Sequence, residues 1–189
     1  MALVKTTKIL DNTVISAAIN EIKAVDLLSI CSANYPLVTS KEVFYEACRG
    51  SLRQIKNEGQ IEIRDKAKDQ KFTQIISYLR DRYPYLHEGE LSAFTLALLD
   101  YACSGENYFL VTDDRAMRRR IKEIITSPQI TTVCQTQIQN FNHTGTIGLI
   151  KRLHQKLCFS NEEIDGIITD LRESTFYITE DLLKELKRC

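Results

Sequence analysis

Short apolar runs rich in branched residues alternate along the chain with longer segments in which apolar residues recur at helical spacing. Strands buried on both faces of a parallel sheet read as such near-continuous apolar runs. The alternation therefore predicts an α/β fold, with a doubly wound, mainly parallel central sheet flanked by helices. The predicted strands are residues 8–10, 36–39, 61–63, 108–112 and 130–134.

Helical segments are predicted between these strands, and the spacing of their apolar residues sets their approximate bounds. Ser40 is expected to cap the helix that follows the second strand. Pro84 must lie beyond the end of the next helix, because the residue before a proline is pushed out of helical geometry. The predicted helices are residues 13–33, with a break near Asn20, and residues 40–48, 71–82, 88–101 and 115–125.

The composition of the chain changes near residue 138, and the remaining segment is predicted to form three amphipathic helices. In the second of these helices, Ser160 and Glu163 make a capping box. Its apolar stripe needs a surface on which to pack and consists of Ile164, Ile167, Ile168 and Leu171. We therefore expect a single domain, in which residues 1–138 form the core and residues 139–189 form a helical C-terminal extension packed on it.

Charge and cysteine content narrow the functional classes only slightly. Lysine plus arginine and aspartate plus glutamate both number 25, so the net charge does not point to nucleic acid or to an acidic partner. No run approaches the roughly 20 apolar residues of a membrane span and the N-terminus lacks a signal peptide, so we expect a cytoplasmic protein with no membrane partner. The six cysteines form no CxxC pair and are expected to be reduced core residues: Cys31, Cys48, Cys103, Cys134, Cys158 and Cys189.

Acidic residues fall where a doubly wound sheet binds its ligands, at the carboxyl ends of strands and in the helices that follow. Asp11 directly follows the first predicted strand, and the pair Asp113 and Asp114 directly follows the fourth. Glu46 lies near the apolar stripe of the helix after the second strand, and Glu90 lies on the apolar face of its own helix. The topology is therefore expected to bring these carboxylates together.

Clustered carboxylates need a compensating cation, because two like charges about 4 Å apart repel by roughly 4 kcal/mol at an effective dielectric near 20. Mg2+ suits such oxygen ligands, and it typically takes one or two carboxylates while it keeps waters and phosphate oxygens. A cation held in this way could activate a water for attack on phosphorus. Taken singly, the aspartates could equally be helix caps, Glu46 a partly exposed helix residue and Glu90 the partner of an arginine. The prediction of a metal site depends on the occurrence of all these acids together at one edge of the sheet.

Four ordered segments of the chain resemble the motifs of the PIN-domain family, namely ILDNTVIS, VTSKEVFYEA, HEGELSAFTLAL and LVTDDRAMRR. The match runs in order through most of the chain. The resemblance implies a PIN-like fold and a nuclease that hydrolyses phosphodiester bonds. It also implies which residues are catalytic and bind Mg2+ or Mn2+: Asp11, Glu46, Glu90 and Asp114.

Residues beside these acids are also assigned by the resemblance. Thr13 matches a small polar position that helps to orient Asp11. Asn12 stands between them, and the order DNT departs from the commoner arrangements of small residues at this point. Asp113 occupies the variable position before the last acid, where binding the metal, capping a helix and merely adding charge all stay open.

The C-terminal segment resembles that of a PIN subgroup described as predicted nucleic-acid-binding proteins. The likeness lies in a GTxGL stretch, formed here by Gly145, Thr146, Gly148 and Leu149, and in an ELL-type helix after it. Such proteins are similar to the ribonuclease toxins of toxin-antitoxin pairs. The resemblance thus implies a metal-dependent endoribonuclease, with RNA as substrate and an antitoxin protein and a second copy of the chain as candidate partners.

Two other functions stay open at this stage. A PIN module that has lost its activity would bind RNA or a partner protein without cutting. A phosphorelay receiver also clusters aspartates on a doubly wound sheet, but the last predicted strand here lacks an evident partnering lysine.

Basic and aromatic residues supply candidate contacts to a nucleic acid. Arg115, Arg118 and Arg119 begin directly after the acidic pair, and arginine side chains suit phosphate oxygens, although a solvated charged face is an equal alternative. Arg49 follows Glu46 and could contact phosphate or form a structural ion pair.

Two tyrosines, Tyr83 and Tyr85, bracket Pro84 in a predicted loop. An aromatic ring in such a loop could stack on an unpaired base, and simple packing of the loop is the alternative.

Overall fold

A five-stranded parallel β-sheet forms the centre of the molecule, and helices cover it. The structure is a computed structural model, and it describes residues 6–47, 59–174 and 178–187. The strand order is β3-β2-β1-β4-β5, and every neighbouring pair runs parallel. The strands are β1 (Thr7–Leu10), β2 (Leu37–Ser40), β3 (Glu62–Arg64), β4 (Tyr108–Val111) and β5 (His143–Thr144). The predicted α/β class and doubly wound parallel sheet are confirmed, and the architecture is consistent with a PIN-like fold.

The chain winds outward from β1 in both directions, so the strand order reverses between β1 and β4. Leu10 is paired with Val111, and the backbone N–H of Asp11 donates to Val111 O over 3.0 Å. The two strands therefore end level with each other. The segments that follow them emerge side by side at the crevice where open α/β sheets bind ligands.

The helices are close to those expected from the sequence, and two of them continue into single π-helical turns, Ala17–Glu21 and Leu98–Ala102. The α-helices before the C-terminal segment are α1 (Asn12–Ser16), α2 (Leu27–Asn34), α3 (Lys41–Ala47), α4 (Gln70–Arg82), α5 (Glu88–Ala97), α6 (Arg115–Ile125) and α7 (Pro128–Cys134). Three more follow, α8 (Thr146–His154), α9 (Asn161–Glu173) and α10 (Glu180–Lys187), so the helical C-terminal region is confirmed.

The predicted strand at 130–134 is wrong, because this segment belongs to helix α7. Ser127 caps the helix by accepting a hydrogen bond from the backbone N–H of Ile130, and Pro128 fits the first helical position. The two buried residues of the helix, Ile130 and Cys134, lie four positions apart, which is helical spacing. The fifth strand is instead the two-residue β5, which pairs with β4.

The helix predicted over 13–33 is interrupted later than expected, at residues 22–26 rather than near Asn20. Ser40 ends β2, and its hydroxyl accepts a hydrogen bond from Val43 N over 3.3 Å, which confirms the expected cap. The predicted end of this helix, Cys48, lies outside the described residues.

The C-terminal helices pack on the same core as the central sheet. The capping box of Ser160 and Glu163 is confirmed, and the stripe of Ile164, Ile167, Ile168 and Leu171 is buried. The Asp170 carboxylate accepts hydrogen bonds from the backbone N–H groups of Lys23 and Ala24, at 2.7 and 2.6 Å. Helix α9 is thereby bound to the segment that interrupts the first helical region.

Cys31 and Cys134 are buried and Cys103 and Cys158 half-buried, and all four are free thiols, as expected. Cys189, like Cys48, lies outside the described residues. Among the residues that the structure describes, none of the helices has the length and apolar character needed to cross a membrane.

Candidate functional site

Four carboxylates from four separate elements meet at the carboxyl edge of the sheet. Asp11 follows β1, Glu46 lies in the last turn of α3, Glu90 lies in the first turn of α5, and Asp114 is the N-cap of α6. The negative charges of Asp114 and Asp11 both act to raise the pKa of Glu90, and that of Glu46 acts to raise the pKa of Asp11. Each of the four acids is therefore within electrostatic range of at least one of the others.

Asp11 is the buried centre of the group, with only 1% of its surface exposed. Its Oδ1 accepts a hydrogen bond from Asn12 N at 2.7 Å, and its Oδ2 accepts from Thr13 Oγ1 at 3.0 Å and from Thr112 Oγ1 at 2.8 Å. Burial raises the pKa of Asp11, and these three hydrogen bonds oppose the rise. The carboxylate is thus held in one orientation by donors from both loops at this edge.

Thr112 is a site residue that the sequence did not reveal. Its buried hydroxyl donates to Asp11 and accepts a hydrogen bond from Asp114 N at 3.2 Å. Thr13 makes a second link, because its Oγ1 accepts from Asp113 N at 3.2 Å. Only the position of Thr112 directly before two acids, in LVTDD, could have suggested its role.

Gly89 is a second residue that sequence reasoning missed. Its backbone N–H donates to Glu46 Oε1 over 2.8 Å. A Cβ atom at position 89 would lie 2.2 Å from Glu46 Oε2, so a side chain here would displace the Glu46 carboxylate. Glycine therefore lets Glu46 lie directly against the N-terminal turn of α5, where free backbone N–H groups favour negative charge.

Glu90 is half-buried, and its Oε2 accepts a hydrogen bond from His87 N at 3.1 Å as part of a capping box. Burial raises the pKa of Glu90 to about 7; the His87 N–H opposes this rise, while the charges of Asp114 and Asp11 add to it. Asp114 is anchored in a similar way, because its Oδ1 accepts from Met117 N. Each acid thus has a local capping contact.

The Asp113 carboxylate is bound by Thr146 at the start of α8. Its Oδ1 accepts a hydrogen bond from Thr146 N at 2.9 Å, and its Oδ2 accepts from Thr146 Oγ1 at 2.5 Å. Burial raises its pKa, and these bonds and the nearby charge of Arg118 oppose the rise. A Cβ atom at Gly145 would lie 2.4 Å from Asp113 Oδ1. The Gly145-Thr146 sequence therefore accommodates Asp113 at the start of α8.

No lysine, arginine or histidine nitrogen of the described residues lies within 4.0 Å of the carboxylate oxygens of Asp11, Glu46, Glu90 or Asp114. Within the described part of the chain these oxygen donors have no cationic partner, and such donors are chemically suited to a hard divalent cation. Within the described ranges, however, no three acidic, histidine or cysteine side chains are close enough to hold one metal ion together. The residues fit an ion bound directly by one or two carboxylates and through water by the others, as is usual for Mg2+.

Three of the four predicted basic contacts belong to the described residues, and all three lie on α6. Arg115, Arg118 and Arg119 are exposed on α6, which begins directly after Asp114. Arg49 lies outside the described residues.

In comparisons with known proteins, no protein-family model matches this sequence, and no curated protein matches it. The chemistry of the site is therefore inferred from its own residues.

Proposed function

We propose that this protein is a metal-dependent nuclease of the PIN type that hydrolyses RNA phosphodiester bonds. The observation that carries the proposal is the convergence of Asp11, Glu46, Glu90 and Asp114 at one edge of the sheet, with no cationic side chain of the described residues within 4.0 Å. A like-charged cluster of this kind is costly unless a cation binds to it.

Helix capping alone accounts poorly for this arrangement. A neutral serine, threonine or asparagine would cap α1 or α6 comparably well, and a neutral glutamine would serve at the Glu90 position of the α5 capping box, without bringing negative charges together. Burial also makes the ionised form of Asp11 energetically costly, and a neutral capping residue would avoid this cost. The choice of an acid in all of these positions is explained if the carboxylates share a bound ion.

Asp11, Glu46, Glu90 and Asp114 would hold Mg2+ or Mn2+. When bound, such an ion supplies Lewis-acid chemistry, by lowering the pKa of a water and neutralising charge on a phosphoryl group. Thr112 and Thr13 fix the orientation of the Asp11 carboxylate.

Basic side chains outside the acidic cluster would contact the RNA. The guanidinium groups of Arg118 and Arg119, exposed on α6, would contact the phosphates on either side of the bond that is cut.

Cleavage of RNA by purified protein tests the proposal. The wild type is expected to cut single-stranded RNA with Mg2+ or Mn2+ and to stop when EDTA is added. Asp11→Asn and Glu90→Gln should each lower the rate by at least about 100-fold. Asp165→Asn, which removes an exposed carboxylate that pairs with Lys187, is the matched control and should cut at the wild-type rate. Undiminished cleavage by both site variants would refute the assignment.

A module that binds RNA or a partner protein without cutting is the second candidate. One observation favours it, namely that no three potential ligand side chains in the described part of the chain can hold one ion together. Binding of RNA without cleavage under either Mg2+ or Mn2+ would support this function over the first. A toxin role, an antitoxin partner and pairing of two copies are proposals that follow from the resemblance alone.

A further inference from the structure

An arginine-lined recess lies between α6 and the loop that precedes α5. It has a volume of about 320 Å3 and is lined by Tyr85, Ala116, Arg119 and Arg120. Ala116 belongs to the turn of α6 that Asp114 caps, and Tyr85 lies in the loop that leads into the Glu90 helix. The recess is therefore bounded by the two segments that carry two of the four acids.

The ring of Tyr85 is exposed but held in place. Its surface is 54% accessible. Arg120 Nε donates to Tyr85 Oη over 3.0 Å, and Arg120 is itself paired with Glu123 at 2.8 Å. The ring also packs edge-on against Tyr83, with centroids 6.3 Å apart. An exposed aromatic face is thus fixed in advance, which lowers the entropy cost of stacking a ligand on it.

Arg119 supplies a cation to the same recess. Its side chain is exposed, and it makes no ion pair with any residue that the structure describes. Arg120, by contrast, is committed to Tyr85 and Glu123. An aromatic face next to a free guanidinium is the combination with which proteins bind unpaired nucleotides, by base stacking and phosphate contact.

We propose that this recess binds one unpaired base of the substrate, stacked on Tyr85, while Arg119 contacts the adjoining phosphate. The inference rests on the proposed function, because the stacked nucleotide would lie next to the phosphodiester bond held at the acidic cluster. Bases within a duplex are stacked on both faces and cannot lie on the Tyr85 ring. Tyr85 therefore selects for a nucleotide that is single-stranded at this position.

A comparison of two oligomers tests the inference without relying on cleavage. A short fluorescent oligoadenylate and an abasic oligomer with the same number of phosphates are titrated with protein in EDTA, and affinity is read from anisotropy. The wild type should bind the oligoadenylate about 5- to 100-fold more tightly than the abasic oligomer. Tyr85→Ala should lose this preference and still bind the abasic oligomer normally, and Tyr85→Phe, which keeps the ring, should retain it.

Arg119→Ala is the matched control for charge, because it should weaken binding of both oligomers by the same factor. Equal binding of the two oligomers by the wild type would overturn the inference, as would a preference that survives in Tyr85→Ala. Thermal melting of each variant checks folding, and the exposed position of Tyr85 predicts melting close to that of the wild type. If the protein cuts no RNA but shows a preference that depends on Tyr85, the nuclease proposal is refuted and the base site is supported. If the protein cuts RNA but shows no such preference, the base site is refuted and the nuclease proposal is supported.

Discussion

The hydroxyl of Thr112 donates to Asp11 Oδ2 over 2.8 Å, although the two residues lie 101 positions apart in the chain. The Oγ1 atom of Thr112 also accepts a hydrogen bond from Asp114 N over 3.2 Å. One threonine therefore connects the acid after β1 with the acid after β4. The relative position of the two carboxylates depends on this buried hydroxyl.

Thr112→Val keeps the shape of the side chain and removes its hydroxyl. Asp11 then loses a donor in a buried environment, so we expect a loss of about 1–3 kcal/mol in the free energy of unfolding. The orientation of Asp11 is also released, and the cleavage rate should fall by about 10- to 100-fold. Urea unfolding and RNA cleavage measure the two effects. Thr95→Val removes a buried hydroxyl that donates to Leu91 O, and it should leave the cleavage rate unchanged. An equal fall in rate for both variants would contradict the role of Thr112.

Gly89→Ala should disturb the site more than the fold. The added Cβ atom would lie 2.2 Å from Glu46 Oε2, and the end of a glutamate side chain can move away at little cost. We expect stability close to that of the wild type, while cleavage falls because Glu46 loses its place on the α5 N-terminus.

Gly166→Ala is the opposite case and serves as the control for Gly89→Ala. Its Cβ atom would lie 2.7 Å from the Cβ atom of Ala24, which cannot rotate away. This variant should lower the melting temperature and leave the cleavage rate of the folded protein unchanged. A pattern in which both variants lose stability and keep activity would show that Glu46 is not part of the site.

Stability of the metal-free protein should depend on pH through Glu90. The pKa of Glu90 is raised from 4.5 to about 7, by burial and by the charges of Asp114 and Asp11. A raised pKa means that the folded state binds the proton more tightly than the unfolded state. The stabilising contribution is therefore complete below about pH 4.5 and is lost as the pH rises through about 7. Burial raises the pKa of Asp11 as well, which acts in the same direction.

Thermal melting in EDTA over a series of pH values measures this dependence. We expect the melting temperature to fall by a few degrees between about pH 5 and pH 8 and to recover when Mg2+ is added at the higher pH. Glu90→Gln should flatten the profile. A profile in Glu90→Gln as steep as that of the wild type would mean that another group titrates.

Asp113→Ala should show that Asp113 and its neighbour Asp114 have different roles. The substitution leaves the N–H and hydroxyl of Thr146 without their acceptor, so we expect a loss of about 1–3 kcal/mol in the free energy of unfolding. Binding of Mn2+, measured by calorimetry, should be unchanged. Asp114→Asn should instead weaken Mn2+ binding strongly. Equal weakening in the two variants would place Asp113 at the metal after all.

The sequence predicted the elements that carry the acids, because their signals are local. Strands such as β1 and β4 are apolar runs, and an acid directly after a strand must lie at the edge of the sheet. The contributions of Gly89 and Thr112 could not be predicted in this way. Each depends on a contact with a residue on a distant element, and neither residue type is unusual at its position.

Three other features of the structure were not predicted, each for its own physical reason. The segment 130–134 is rich in β-branched residues, but the cap at Ser127 and the proline after it decide in favour of a helix. The true fifth strand has only two residues, too few to give a pattern. Lys8 reads as a polar residue at the start of a strand, yet it is buried, with Nζ 4.2 Å from the ring centroid of Tyr35 and 4.5 Å from that of Phe109. Aromatic rings from distant parts of the chain take the place of water around the Lys8 ammonium group.

A crystal of the protein soaked in Mn2+, with diffraction data collected at the manganese absorption edge, tests most directly whether the four acids share a cation. We expect an anomalous peak bounded by the carboxylates of Asp11, Glu46, Glu90 and Asp114, and no such peak in crystals of the Asp11→Asn, Glu90→Gln double variant. An empty site among these carboxylates, in a crystal that binds Mn2+ elsewhere, would contradict the shared cation and with it the nuclease proposal.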